Sequence, residues 1–181
     1  MTAKNITPPL TADLVRSLKA GEEILLSGTI YTARDAAHKR LCALLDQKIK
    51  LPVDLRDQIL YFTGPAPAKP GKPIGSAGPT TSSRMDVYSP GLIAQAGLRG
   101  MIGKGNRSDA VIDAMKQFGC VYFAATGGAG ALLAKRVTRA ETVCYEDLGP
   151  EAIYRLEVEN FPLIVVIDTS GRNLFTLNRN E

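Results

Sequence analysis

The sequence predicts an α/β fold in which a mixed or parallel, largely buried sheet is flanked by helices. Strand-like and helix-like patterns alternate along most of the 181 residues. Residues 163–168 contain five branched apolar residues followed by an acid, which is typical of a central strand. Residues 23–31 form a second largely apolar stretch, and a helical repeat of apolar side chains follows it directly.

The first 50 residues are expected to supply an arm, a short helix, a strand and a longer helix. Residues 1–10 are polar and contain proline, so we expect an N-terminal arm that lies on the surface or on a partner. Thr11 can cap a short helix that reaches about Leu18. The helix after the strand at 23–31 has apolar residues at helical spacing, namely Ala37, Leu41, Leu44 and Leu45.

The middle of the chain is dominated by a stiff loop. An irregular segment at 51–58 precedes a short apolar strand at 59–63. Four prolines and two glycines then make residues 64–73 a segment that no helix could cross. Ser89-Pro90 restarts a helix, because proline is favoured at the first helical position. Met101-Ile102 is predicted to be a buried strand.

The remaining elements complete the alternation. Ser108 is expected to cap a helix that Gly119 ends. The chain contains no linker long enough to divide it, so we expect a single domain over residues 1–181. The other predicted elements are a buried strand at 120–125, a tight turn at 126–130, a strand at 142–145, a helical turn at 150–154, an edge strand at 154–158 and a polar tail at 177–181.

Composition excludes several classes of function. The chain is 45% apolar and 22% charged, an ordinary globular composition. Its net charge of +4 is mild and dispersed, which argues against nucleic acid and fits a small acidic substrate better. No apolar run approaches the length that a membrane span requires. We therefore expect neither a nucleic-acid nor a membrane partner.

Cysteine and histidine content argues against a metal site held by this chain alone. The three cysteines, Cys42, Cys120 and Cys144, are far apart and lack the close spacing of zinc or iron–sulfur motifs. His38 is the only histidine. No signal peptide is recognisable, so reduced thiols in a cytoplasmic protein are expected.

The strongest candidate binding stretch is residues 75–86. Its glycines and Pro79 end an extended segment, and the hydroxyl residues that follow are typical of a helix start with Thr80 as the N-cap. Free N–H groups and Arg84, four residues after Thr80, would then form a receptor for a small anion such as a carboxylate. The alternative at this point is an ordinary polar turn capped by threonine.

Two further cations are candidates for the same ligand. Arg34 opposes the dipole of the helix that it begins, which hints at a ligand, although an ion pair with Asp35 explains it equally well. Lys104 lies between two glycines after a predicted strand and could be either a flexible charge that reaches a carboxylate or a solvated loop lysine.

Nucleotide binding is not supported by either glycine motif. Gly105 follows Lys104 where a phosphate-binding loop requires serine or threonine, and Leu98 stands in place of its first glycine. A dinucleotide fingerprint after the strand at 120–125 would require a small residue where the chain has Leu133.

Three motifs in order resemble the signatures of the β subunit of class I fumarate hydratase, and the β subunit of L(+)-tartrate dehydratase shares them in part. They are TARDAAHKR at residues 32–40, GPTTSSRMD at 78–86 and GKG at 103–105. FPLIV at residues 161–165 also fits, and the similarity covers about residues 7–176.

The resemblance implies a fold, a cofactor and a partner. The fold would be a swivelling β/β/α domain, equivalent to the C-terminal half of longer chains. An α subunit would hold a 4Fe–4S cluster on three cysteines and would supply further catalytic acids, so this chain would bind no cofactor itself. The assembly would be a hetero-oligomer, and the isolated chain could form a homo-oligomer.

The resemblance also implies roles for individual residues. Arg34, Arg84 and Lys104 would bind a dicarboxylate between the two subunits, and Thr80 would be the candidate proton-transfer residue. A threonine hydroxyl is a very weak acid, so that role would require help from nearby cations. For His38 we expect a position on the helix surface or at an interface rather than the role of a base.

The implied reaction is the reversible hydration of fumarate to L-malate, active only with the α subunit. The alternative within the family is dehydration of L(+)-tartrate to oxaloacetate. A hypothesis of another class is a stand-alone dicarboxylate-binding or scaffold domain without activity.

Overall fold

The computed structural model describes residues 2–125 and 130–177. Its seven strands are β1 (Lys4–Ile6), β2 (Glu23–Thr32), β3 (Ile59–Tyr61), β4 (Gly100–Gly103), β5 (Val121–Ala125), β6 (Val137–Cys144) and β7 (Ile153–Ile167). Its α-helices are α1 (Ala12–Ser17), α2 (Asp35–Asp46), α3 (Ser89–Ala96), α4 (Asp109–Phe118), α5 (Gly130–Ala134) and α6 (Leu174–Leu177). Short 3₁₀ segments lie at Ser82–Met85 and Glu146–Glu151.

Five strands close into a ring. β2, β3, β4 and β5 are parallel neighbours, and β7 is antiparallel to β5 on one side and to β2 on the other. β1 pairs in parallel with β2, and β6 pairs in antiparallel with β7. The predicted mixed α/β fold is therefore confirmed, with the addition that its sheet is closed.

The two faces of the strands enter different cores. Ile59 and Tyr61 of β3 belong to a cluster that also receives α1, whereas Leu60 and Phe62 belong to a cluster that packs against α2, α3 and α4. Side chains alternate across a strand, so neighbours along the chain point to opposite faces. The first cluster fills the ring, because the helices on the second face must lie outside it.

Most predicted elements are present, and several caps form as expected. The Thr11 hydroxyl accepts a hydrogen bond from the Leu14 amide at 3.1 Å at the start of α1. α4 is flanked by Ser108 and by Gly119, whose φ of 76° is left-handed, although the Ser108 side chain makes no capping bond. α3 carries proline in its first turn.

Two expectations are wrong, one for the N-terminal residues and one for the strands at 154–158 and 163–167. Residues 2–10 are not an arm on the surface or on a partner: β1 pairs with β2, and Leu10 is fully buried. The separate strands at 154–158 and 163–167 are one strand, β7, which is central rather than an edge because β2, β5 and β6 all pair with it. The predicted turn at 126–130 lies outside the described residues except for Gly130, as does the tail at 177–181 except for Leu177.

Candidate functional site

The candidate residues follow three neighbouring parallel strands. Arg34 comes two residues after the end of β2, and Lys104 comes directly after β4. Thr80 lies at the far end of the proline-rich loop that leaves β3, and its amide returns to donate to the Phe62 carbonyl at 2.6 Å. The carboxyl ends of these parallel strands meet at one edge of the sheet, which we call the rim, and both open and closed α/β sheets place ligands at such an edge.

Side chains beneath Thr80 hold the segment that leads to it. The Thr63 hydroxyl donates to the Gly78 carbonyl at 2.7 Å, and the buried Tyr61 hydroxyl donates to the Ala77 carbonyl. These bonds come from the end of β3 and its continuation. The sheet therefore helps to fix the conformation of the residues before Thr80.

Thr80 is not the N-cap that the sequence predicts. The helical segment begins at Ser82, lasts four residues as a 3₁₀ turn, and is preceded by Thr81, whose side chain makes no capping bond. Thr80 instead uses its amide in a sheet-like bond, which leaves its half-buried side chain at the rim. A 3₁₀ turn this short does not form the helix-terminus anion site that we expected.

Lys104 is bound to the same segment through its main chain. Thr81 and Lys104 form a parallel bridge, and the Ser82 amide donates to the Lys104 carbonyl at 2.9 Å. The Lys104 side chain is exposed. The segment that carries Thr80 and Arg84 thus lies directly beside the loop that carries Lys104.

Asp35 joins the two arginines. Its Oδ1 accepts from Arg84 Nε at 3.0 Å, and its Oδ2 lies 4.0 Å from Arg34 Nε. Arg34 Nε is closer to Glu151 Oε1, at 3.3 Å, but without hydrogen-bond geometry to any described residue. Both explanations offered for Arg34 are therefore compatible with the structure, since it contacts acids and lies beside Arg84.

The bond between Arg84 and Asp35 determines which nitrogens of Arg84 can bind a ligand. Asp35 engages Nε, so the two terminal nitrogens of Arg84 remain on a side chain that is 52% exposed. A guanidinium presents its donors in a planar fork that matches a carboxylate. The arrangement can therefore receive one carboxylate at Arg84, with Arg34 and Lys104 nearby for further negative charge.

His38 is buried, which contradicts the expected position on a helix surface or interface. Its Nδ1 lies 2.8 Å from the Arg34 carbonyl, and its ring packs edge-on against Phe62 at 5.2 Å between centroids. Burial, with a smaller contribution from the Arg107 charge, lowers the pKa of His38 from 6.5 to about 4. His38 is consequently neutral at physiological pH, with Nδ1–H donating to the carbonyl.

Sequence reasoning missed a buried arginine behind the site. Arg107 donates to Asp86 Oδ1 at 2.7 Å and to the Ser89 hydroxyl at 2.6 Å, and its side chain is 0% exposed. Its guanidinium lies over the rings of Phe62 and Tyr122, each at 5.2 Å. The motif Arg84-Met85-Asp86 contains the signal for this pair, since Asp86 needs a basic partner if buried.

A model of the family described as "Fumarase C-terminus" matches residues 3–178. The chain belongs to the fumarase C-terminus family. Its similarity to the anaerobic class I fumarate hydratase of Escherichia coli K12 is 42% identity over 151 residues, which is 83% of this chain and 28% of that enzyme. A second relative, the mitochondrial fumarate hydratase 1 of Leishmania major, is 40% identical over the same shares of each chain.

A third relative has nearly the same length as this fumarase C-terminus chain. It is the Methanocaldococcus jannaschii protein named "Putative L(+)-tartrate dehydratase subunit beta", 40% identical over 92% of this chain and 88% of its own. The chain thus spans less than a third of the class I fumarate hydratases that it matches but most of a protein named as a separate subunit.

The part of this family member that the structure describes does not fit an iron–sulfur cluster. In residues 2–125 and 130–177, no group of three or more histidine, cysteine or acidic side chains is arranged to hold a metal ion. Burial raises the pKa of the Cys120 thiol to about 12 and that of Cys42 to about 11, whereas a metal ligand must be a thiolate.

Of the helices described, none is long and apolar enough to cross a bilayer. The longest, α2, has twelve residues.

Proposed function

We propose that this chain is the β subunit of a heteromeric iron–sulfur hydro-lyase that interconverts fumarate and L-malate. The observation that carries the proposal is the contact between the segments that bear Arg34, Arg84 and Lys104, which follow β2, β3 and β4 along the chain. A dicarboxylate needs cations for both of its ends, and an open rim with three of them is half of such a receptor.

The residues of this chain would bind and orient the substrate and stabilise developing charge. Addition of water across fumarate passes through a carbanion-like species with extra charge on one carboxylate. Preorganised cations stabilise such charge most where water is excluded. Because the rim here is open, the proposal requires a second subunit that covers it.

Thr80 is proposed as the proton-transfer residue. Its main chain is fixed by the bond to Phe62, and the next residue, Thr81, forms a bridge with Lys104. The Thr80 hydroxyl would exchange a proton with the substrate carbon only while cations hold its alkoxide. Lys104, whose carbonyl accepts from the Ser82 amide, is a candidate for that role.

The partner and the cofactor are part of the proposal. The cluster is assigned to the α subunit, because the described residues of this chain offer no ligand set for it. We further propose that the whole chain acts as one domain, of the swivelling type, in a cytoplasmic hetero-oligomer. The second chain would then meet this one along the rim that carries Arg84.

The test is anaerobic co-expression of this chain with its candidate α subunit, followed by assays with fumarate and with malate. We expect turnover by the pair and none by either chain alone. A pair that assembles with an intact cluster and yet hydrates no fumarate would contradict the proposal.

The second candidate is the β subunit of an L(+)-tartrate dehydratase. It is favoured by the relative of nearly equal length, which is named as such a subunit. The same pair assayed with L(+)-tartrate distinguishes the two: oxaloacetate formation without fumarate hydration would assign this reaction instead.

A non-enzymatic dicarboxylate-binding or scaffold domain makes a different prediction. The isolated chain would then bind malate measurably in calorimetry, and no α subunit would co-purify with it. Under the proposed function, half of a receptor binds malate weakly by itself, because its remaining contacts belong to the partner.

A further inference from the structure

A buried hydroxyl group links the two loops that carry the candidate cations. It belongs to Tyr122, in β5, next to the strand that Lys104 follows. The Tyr122 hydroxyl donates to the Gly105 carbonyl at 2.8 Å, and Ser82 Oγ lies 2.8 Å from the hydroxyl oxygen of Tyr122. Since the tyrosine hydrogen points to Gly105, Ser82 is the donor in the second bond.

These bonds connect residues adjacent to the site. Gly105 follows Lys104 directly, and Ser82 is two residues before Arg84. The Ser82 amide also donates to the Lys104 carbonyl at 2.9 Å. The two segments are therefore joined twice, once through their main chains and once through the Tyr122 hydroxyl.

The surroundings leave the Tyr122 side chain little freedom. Both Tyr122 and Ser82 are fully buried, and the Arg107 guanidinium covers the tyrosine ring at 5.2 Å while it bonds to Asp86. The Ser82 hydroxyl occupies the space of the missing Cβ at Gly103, because an added Cβ would collide with it. Burial raises the pKa of Tyr122 to about 12, so the phenol keeps its proton at neutral pH.

We propose that Tyr122 is a positioning residue that fixes the spacing between Arg84 and Lys104. Its hydroxyl holds the Ser82 turn and the Gly105 loop at one separation, and the two cations can then meet the two ends of one dicarboxylate. Tyr122 touches no substrate in this account. The identity of the ligand rests on the proposed function, whereas the mechanical link does not.

The kinetic test compares Tyr122→Phe with Tyr154→Phe in the reconstituted pair. Tyr154, a half-buried residue of β7, is a matched control because its hydroxyl also donates to a glycine carbonyl, that of Gly149 at 3.1 Å, but in an exposed hydrogen bond. For Tyr122→Phe we expect a rise in KM of about 10-fold to 100-fold with a smaller change in kcat, since misplaced cations weaken substrate binding from the start. The control should match the wild type.

A thermal scan separates positioning from general destabilisation. Loss of one hydroxyl should lower the Tm of either variant by only about 2–4 °C, a shift that leaves the chain folded at the assay temperature. Wild-type kcat and KM in Tyr122→Phe would overturn the inference.

A second measurement does not depend on turnover. Amide hydrogen exchange in the isolated 181-residue chain reports the bond from Ser82 to Lys104 directly. We expect the Ser82 amide to exchange about 10-fold faster in Tyr122→Phe, with the β2 and β7 amides unchanged, because local opening is measured separately from global unfolding. Unchanged exchange at Ser82 would refute the link even where fumarate is hydrated, and faster exchange in an inactive pair would count against the proposed function alone.

Discussion

Asp35 decides how the two arginines are presented. Its carboxylate binds Arg84 through Nε, the nitrogen that points back along the side chain, and lies within 4.0 Å of Arg34 Nε. Because Asp35 accepts from Nε, this bond leaves the two terminal nitrogens of Arg84 for another carboxylate. The acid that follows Arg34 in sequence is thus a part of the candidate receptor rather than a competitor for it.

Replacing Arg84 with alanine tests the receptor at its most exposed cation. We expect kcat/KM of the pair to fall by about 10²–10³, the usual loss when one stabilising donor is removed. Stability should change by less than about 1 kcal/mol, because the ion pair with Asp35 is half exposed. Steady-state kinetics measure the change in kcat/KM, and urea unfolding measures the change in stability.

The control for that variant is Arg139→Ala on β6. Arg139 is also an exposed arginine paired with an acid, Glu141 at 3.2 Å, but it does not follow β2, β3 or β4. Near-normal kcat and KM in Arg84→Ala would remove Arg84 from the site.

Thr80→Val tests the hydroxyl that we propose for proton transfer. Valine keeps the shape and the amide bond to Phe62, so the fold should be unaffected. We expect kcat to fall by about 10²–10⁴, the range for loss of a general acid or base, and Thr80→Ser to recover much of it. If the valine variant turns over at the wild-type rate, Thr80 serves only through its main chain.

His38 should make stability depend on pH in a defined window. Its pKa is about 4 in the folded chain and near 6.5 when unfolded, so the unfolded state binds the additional proton between these values. Stability is therefore fully present above pH 6.5 and decreases by roughly 3 kcal/mol as pH falls to 4.

His38→Phe is the variant that isolates this contribution. It retains packing against Phe62, and the Arg34 carbonyl still accepts from the amide at residue 38, so the fold should persist. Urea unfolding at pH 4.5 and 7 should show a smaller difference for the variant than for the wild type. If the two proteins show the same difference between pH 4.5 and 7, protonation of His38 does not lower the free energy of unfolding.

At the level of elements, Gly103 allows two segments to pack closely because it has no side chain. The segments are Gly103–Gly105 and the 3₁₀ turn at Ser82–Met85. A Cβ at Gly103 would collide with the Ser82 hydroxyl and would lie 3.1 Å from Phe62 Cδ2. The glycine at the end of β4 therefore allows two site loops to approach each other. Gly105, with a φ of 80°, allows the chain to turn away after Lys104.

Gly103→Ala should separate those loops. We expect a loss of about 1–3 kcal/mol from overpacking, together with a higher KM of the pair. Gly91→Ala is the control, since a Cβ there meets only Gln95 Nε2 at 3.9 Å in α3 and should be neutral or stabilise by up to about 1 kcal/mol. Equal stability of the two variants in urea would contradict the fit described for Gly103.

The elements were largely predictable because each has a local signal. The cap at Thr11 and the apolar repeat of α2 each depend on residues that are close together in the sequence. The Thr80 cap was wrong because the amide of Thr80 pairs with Phe62, eighteen residues earlier and across the proline-rich loop, and no local pattern reports that bond. Arg34, Arg84 and Lys104 remain predictions as site residues, whereas the supports Arg107 and Tyr122 show only in three dimensions.

At the scale of the whole molecule, one strand closes the sheet. β7 runs for 15 residues and pairs along β2 from Glu23↔Ile164 to Tyr31↔Arg155. The sequence around Asn160, whose φ is 47°, looks like a break between two strands, and this is why the closure was not predicted. The register of the β2–β7 pairing shifts there, and the pairing partner that keeps both sides of this irregularity in one strand lies some 130 residues earlier.

Phe161→Ala tests the closure. Phe161 is fully buried opposite Leu26, and its ring contacts that of Tyr61 edge-on at 5.6 Å. We expect a loss of about 3–5 kcal/mol in urea unfolding. Phe118→Ala, at a position that is 42% exposed, should cost much less, and a similar cost for both would mean that the ring interior tolerates a void.

Closure also determines where the protein can aggregate. Among the described strands, only β1 and β6 have an unpaired edge; β1 is three residues long, and the exposed side chains of β6 include Arg139 and Glu141. Short or charged edges disfavour the addition of a foreign strand. Under the proposed function, a chain that waits for another subunit would thereby be protected against self-association through its sheet, while its cationic rim would stay open for the partner.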